Sequence, residues 1–207
     1  MKTPSLYIFD CGGVLFSEKI WQEFFASLGR DGVRSIRSLG PRSNEAVEAF
    51  TRGDISEKAF WDEISIDFGS PIPWRDGLAG RFYQTAFIPG VAEVIRDLRG
   101  AGRRVVAGSN LIPCFLEVNR ANHRYDVFDK AYISCEMHLA KPDAAFYREI
   151  LRKEGRTAEE AFFTDDLEKN VDAARAVGLD AFHFTDADAL RKRLTALGAF
   201  LQEEDCG

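Results

Sequence analysis

Four short segments hold the side chains of this chain that could do chemistry: Phe9-Asp10-Cys11-Gly12-Gly13, Gly108-Ser109-Asn110, Ala140-Lys141-Pro142-Asp143 and Phe163-Thr164-Asp165-Asp166. Together they offer a carboxylate able to attack, a hydroxyl beside backbone donors, a lysine and an acidic pair. A magnesium-assisted phosphoryl transfer needs that set, and no one segment suffices by itself.

Each segment also has a plainer reading. Asp10 follows three apolar residues and precedes two glycines, so its carboxylate is expected at a strand end where the backbone turns sharply. Gly12 and Gly13 permit close approach of a ligand or metal there, yet an aspartate in that place also serves as an ordinary turn or cap residue. Ser109-Asn110 should open a loop or helix with free N–H groups, the geometry of a phosphate site and equally of a Ser-Asn turn. Lys141 is either aimed at a site or solvated, and Pro142 reads as the first residue of the following helix. Asp165-Asp166 is the sharper signal. Adjacent carboxylates repel unless a cation sits beside them, which favours a magnesium site over an Asx turn in which one carboxylate caps the next helix.

Positioning these residues requires a scaffold, and the pattern supplies one. Short apolar runs recur at Leu6–Phe9, Arg104–Ala107, Ala131–Ile133, Ala161–Phe163 and Ala181–Phe184. From the second run onward they alternate with helical stripes, the signature of βαβ units and a parallel sheet. Val91, Val94, Ile95 and Leu98 make one stripe, and Phe146, Tyr147, Ile150 and Leu151 another, ended by Gly155. Thr157 to Glu160 and Thr185 to Asp188 have capping-box spacing. Between Ser17 and Ala86 the pattern reads as helical only, with stripes at Ile20–Leu28, Val47–Phe50 and Phe60–Ile64. The expected fold is therefore α/β, with a Rossmann-like core from residues 1–16 and 87–207 and a helical lid from 17–86 over the sheet's carboxyl edge, where such sheets bind ligands.

Composition narrows the partners. At 207 residues, 45% hydrophobic and 29% charged, the chain is an ordinary globular protein. A net charge of −6 without a basic run argues against nucleic acid. The apolar start, broken by Asp10, reads as a buried strand rather than a signal peptide, and nothing approaches the ~20 apolar residues of a membrane span. Four scattered cysteines (Cys11, Cys114, Cys135 and Cys206) fit reduced thiols and a cytoplasmic location. Oligomeric state is not readable.

The four segments, in this order at the ends of successive strands, resemble the haloacid dehalogenase superfamily, specifically its phosphatases with a helical lid after the first strand. Gly12, the lid stretch Phe50 to Phe60 and Val105 to Asn110 resemble the bacterial α-D-glucose-1-phosphate phosphatases. The resemblance implies that Asp10 is a nucleophile forming an aspartyl phosphate. It implies a Mg²⁺ held by Asp10, the Gly12 carbonyl, Asp166 and Asp165, steadied by Asn170. Ser109 and the Asn110 backbone would hold phosphate oxygens, and Lys141 would offset charge on Asp10 and the phosphoryl group. Three departures stand out. Gly12 replaces the usual second aspartate that acts as general acid and base; Leu167 replaces a polar residue; His138 replaces a glycine, either as a loop residue or as a proton carrier. The expected activity is Mg²⁺-dependent hydrolysis of a small phosphorylated metabolite, most plausibly a sugar phosphate. The alternatives are a slow or non-catalytic phosphate binder and a phosphomutase. A dehalogenase would leave the Asp165-Asp166 pair unexplained.

Overall fold

The computed structural model describes residues 3–201; Cys206 lies outside them. The first strand, β1 (Leu6–Phe9), is followed by β2 (Phe16–Lys19), then by helices α1 (Trp21–Ser27), α2 (Pro41–Thr51) and α3 (Glu57–Phe68), and by β3 (Gln84–Phe87). The chain continues through α4 (Val91–Gly100), β4 (Arg104–Ser109), α5 (Pro113–Ala121), β5 (Lys130–Ile133), the single turn α6 (Ser134–Met137) and α7 (Ala144–Glu154). It finishes with β6 (Ala161–Asp165), α8 (Glu168–Val177), β7 (Asp180–His183) and α9 (Ala187–Ala196).

Five strands form a parallel sheet in the order β5-β4-β1-β6-β7. The central strand β1 is fully buried on both faces, as a parallel sheet between helix layers demands. Tyr7 and Phe9 pack with Val94, Leu98, Val105 and Phe162 on one face, while Leu6 and Ile8 pack with Val106, Phe146, Ile150 and Phe163 on the other. The stripes read from sequence are the buried faces of α4 and α7. Helix α7 begins at an Asp143 N-cap, whose carboxylate accepts from the Ala145 N–H at 2.8 Å, and ends on Gly155 in the left-handed region.

Register decides what reaches the carboxyl edge. Phe9 pairs with Ala107 on one side and Thr164 on the other, so Asp10 emerges beside Asp165, and the Asp10 N–H donates to the Thr164 carbonyl at 2.9 Å.

Three local expectations are corrected. The segment from 17 to 86 is not helical throughout, because β2 and β3 pair antiparallel, Phe16 with Phe87 and Lys19 with Gln84, as a ribbon at the base of the helices. Pro142 does not start α7. It follows Lys141 through a cis peptide and precedes the Asp143 cap. The last helix is capped by Asp186, which accepts from the Ala189 N–H at 2.8 Å, and not by Thr185; aspartate one position on presents a stronger acceptor at the same spacing. The box at Thr157 and Glu160 is present.

Candidate active site

Five of the predicted residues, Asp10, Lys141, Asp165, Asp166 and Asn170, converge at the carboxyl edge. Lys141 Nζ lies 2.7 Å from Asp10 Oδ1 and 2.6 Å from Asp165 Oδ2, with its side chain 1% exposed. A lysine so buried needs paired charge to stay ionised, and Asp10 and Asp165 provide it: burial works against its charged form, but the two carboxylates outweigh burial and raise its pKa. Asp165 is held from every side. Its Oδ1 accepts from the Leu167 N–H at 2.9 Å, and Asn170 Nδ2 donates to both oxygens at 2.9 and 3.0 Å. Tyr147 in turn donates its hydroxyl to the Asn170 carbonyl at 2.8 Å.

Asp165 makes the turn with the Leu167 N–H, and Asp166, half-buried, has its carboxylate against Gly13. Gly13 has φ +76°, and a Cβ built there would overlap the Asp166 carboxylate. This glycine is required twice over, by backbone conformation and by space. Leu167 matters through its backbone, while its side chain is 46% exposed.

Asp10, Asp165 and Asp166 can each bring one carboxylate oxygen to within 4.8 Å of the others. Burial raises the pKa of Asp10, and Asp165 raises it further, against the pull of Lys141. Burial followed by Asp165 raises that of Asp166 as well. Three carboxylates facing one ammonium leave the ionised cluster short of two positive charges, the charge of one divalent cation. An all-oxygen donor set suits Mg²⁺.

The remaining predicted residues frame this cluster. Ser109, 2% exposed, ends β4. Asn110 Nδ2 donates to the Lys141 carbonyl and the Lys141 N–H donates to Asn110 Oδ1, both at 2.9 Å. Gly12 forms an isolated bridge with Phe16, at the root of the ribbon. His138, at φ +54°, is largely exposed and lies 3.6 Å from Asp54. It lines a polar cleft of about 300 Å³ with Asn110 and Lys141 from the core and Arg37, Glu48, Thr51 and Arg52 from the helical segment. Lys169 also lines it. Sequence reading missed Arg37, Arg52 and Lys169, because isolated surface cations carry no signal until the fold gathers them. It missed Tyr147 as well, which its helical stripe assigned wholly to the core.

Comparison with known proteins agrees with the geometry. The family model of haloacid dehalogenase-like hydrolases matches residues 4–178. A sesquiterpene phosphatase of Aspergillus oryzae is 32% identical over 196 residues, covering 92% of this chain and 94% of that one. Among solved structures, a predicted hydrolase of the family from Porphyromonas gingivalis superposes with a TM-score of 0.76 at 23% identity, covering 94% and 98% of the two chains. A Bacteroides thetaiotaomicron enzyme of the same family, solved with magnesium and inorganic phosphate, gives 0.70 at 22% identity and covers 88% and 95%. The sheet order, the residues at its edge and the matched family model together establish that this chain belongs to the haloacid dehalogenase-like hydrolases.

Proposed function

We propose that this hydrolase is a Mg²⁺-dependent phosphomonoesterase working through an aspartyl phosphate on Asp10. The observation that carries the reading is the Lys141 ammonium bridging Asp10 and Asp165 beside Asp166. The phosphatase among its relatives supports the choice of reaction. Asp10, Asp166 and the Gly12 carbonyl would hold the metal, with Asp165 contributing directly or through water. Bound there, Mg²⁺ supplies a Lewis acid that offsets charge on the phosphoryl oxygens.

The chain's own groups do the rest. Asp10 attacks phosphorus, and the ester P–O bond breaks with its electron pair leaving on the alcohol oxygen, which takes up a proton. Ser109 and the Asn110 backbone orient the phosphate, and Lys141 neutralises charge as it builds on the equatorial oxygens. Asn170 keeps Asp165, and through it Lys141, in position. Water then cleaves the aspartyl phosphate, releasing phosphate and restoring Asp10. Residues 17–86 act as the lid and residues 1–16 with 87–207 as the core. A cytoplasmic location is consistent with the free thiols of Cys114 and Cys135; no helix among the described residues is long and apolar enough to cross a membrane.

Two leaving groups are open: a sugar, as the resemblance to glucose-1-phosphate phosphatases implies, and a terpenoid alcohol, as the Aspergillus relative's name suggests. The reaction itself is tested with phenyl phosphate. Wild type should turn over with Mg²⁺ and stop in excess chelator, and Asp10→Asn, folded but with an amide for a nucleophile, should be inactive. Activity of more than a few per cent in Asp10→Asn removes that residue from its role.

A further inference from the structure

Resting on the phosphatase reading, we infer that the alcohol released is apolar and that its chain lies in a second cleft between the helical segment and the core. This cleft, of about 250 Å³, has Ile20, Trp21, Val47, Leu111, Ile112 and Phe115 among its walls, with Ser35 as the one polar residue it does not share with the polar cleft. It shares Arg37, Thr51 and Asn110 with the polar cleft that contains Lys141. The two cavities therefore meet at the residue whose side chain is bonded to the Lys141 backbone. A phosphate held at Asn110 and Lys141 has its ester substituent at this junction.

Chemistry decides which way the substituent goes. Away from the shared Arg37, Thr51 and Asn110, a sugar in this cleft would meet only Ser35 among side chains able to hydrogen-bond it, and each hydroxyl left unpaired would cost roughly 1–3 kcal/mol. A hydrocarbon chain loses nothing there and gains from leaving water. Trp21 has the form of a platform for such a chain: it is only half-buried, although its ring packs 5.8 Å from that of Phe115. Arg37, exposed at the mouth of both cavities, is placed to meet the anionic end. The substrate class is accordingly an amphiphilic monoester, a phosphate head on an alkyl or prenyl chain.

The test is a substrate series read as kcat/KM with Mg²⁺: n-alkyl phosphates from ethyl to dodecyl, farnesyl phosphate, glucose 1-phosphate and phenyl phosphate. In wild type kcat/KM should rise roughly two- to four-fold per methylene, mainly through KM, until the cleft is full. The KM for farnesyl phosphate should lie about 100-fold below that for glucose 1-phosphate. Val47→Asp, and Val47→Thr as a variant of nearly unchanged shape, should lower the dodecyl-to-ethyl ratio, the former by about ten-fold. A flat chain-length dependence with sound phenyl phosphate turnover, a KM lower for glucose 1-phosphate than for farnesyl phosphate, or a ratio indifferent to both variants overturns the apolar leaving group alone. Failure to hydrolyse any monoester, phenyl phosphate included, overturns the phosphatase reading beneath it.

Discussion

Lys141 is the residue on which the site's electrostatics turn, since it is buried with two carboxylates at hydrogen-bonding distance. Lys141→Ala should lower kcat by roughly 10²–10³, the usual loss when one preorganised electrostatic donor is removed; unchanged kinetics would show that the ammonium does not face the transferring group. Gly13→Ala should disable the enzyme without touching a charged residue, because the new Cβ needs the space of the Asp166 carboxylate. Its signature is a raised Mg²⁺ requirement, and an unaltered magnesium titration would place Asp166 outside the metal site. Gly12 leaves the leaving oxygen without the usual acid, so log kcat should depend steeply on leaving-group pKa across aryl and alkyl phosphates, and Gly12→Asp should flatten that slope. A wild type already flat would point to His138, which lines the same cleft, as the proton source. At this scale the sequence was legible where chemistry needs a particular residue type beside a strand end. It was not legible for Asp165 against Asp166, whose different duties depend on which carboxylate the Leu167 N–H and Asn170 reach.

Among the elements, α7 is tied to the sheet by a polar cluster on an otherwise apolar contact. Glu154 accepts from Arg104 at 2.9 and 3.2 Å and from the Tyr132 hydroxyl at 2.6 Å. Burial works against the Glu154 carboxylate, but Arg104 and Tyr132 outweigh it and hold its pKa below the ordinary value. Arg104 is 40% exposed, so water screens the pair, and Glu154→Gln should cost only about 1 kcal/mol at neutral pH. A folded pKa below the unfolded one stabilises above the unfolded value of ~4.3 and is lost as pH falls through the lower folded value. The difference between wild type and variant should therefore shrink on acidification, and a gap in urea midpoint that stays constant from pH 7 to pH 3 would contradict this. The five strands and helices α4 and α7 were readable because each has a continuous apolar run or a clean stripe, whereas α5 and α8 were not singled out. The β2–β3 ribbon was not. Phe16-Ser-Glu-Lys and Gln-Thr-Ala-Phe87 are four-residue strands with no alternation of their own, and only their pairing across 64 intervening residues makes them strands.

For the whole molecule, the helical segment and the core share one apolar cluster. Phe24, Phe60 and Trp61 from the former belong with Leu111, Phe115, Ile133 and Cys135 from the latter. Tyr83 stacks on Phe115 at 4.3 Å between centroids, and the buried Ser134 hydroxyl donates to the Thr51 carbonyl at 2.7 Å while accepting from the Leu111 N–H at 3.0 Å. Gly53 lies so close to the Cys135 carbonyl that a Cβ would overlap it. Joined by this shared apolar cluster, the two parts should melt together, giving a single calorimetric transition; two resolved peaks would show that residues 17–86 fold independently. The helices between β1 and α4 were visible in the sequence as an interruption of the strand-helix alternation. The cleft beside them was not, since Ile20, Val47 and Leu111 come from three distant stretches that only the fold joins.

The paired bonds between the Asn110 amide and the Lys141 backbone copy a rung of a β-ladder where no strand runs. One planar group thereby sets the spacing between the end of β4 and the loop that carries the lysine, as a gauge block sets a gap. The two loops should then fluctuate in phase, and their separation should be preserved even when neighbouring segments move. Asn110→Asp keeps the shape but turns the donating side into an acceptor facing the Lys141 carbonyl, so the gauge would push where it now holds.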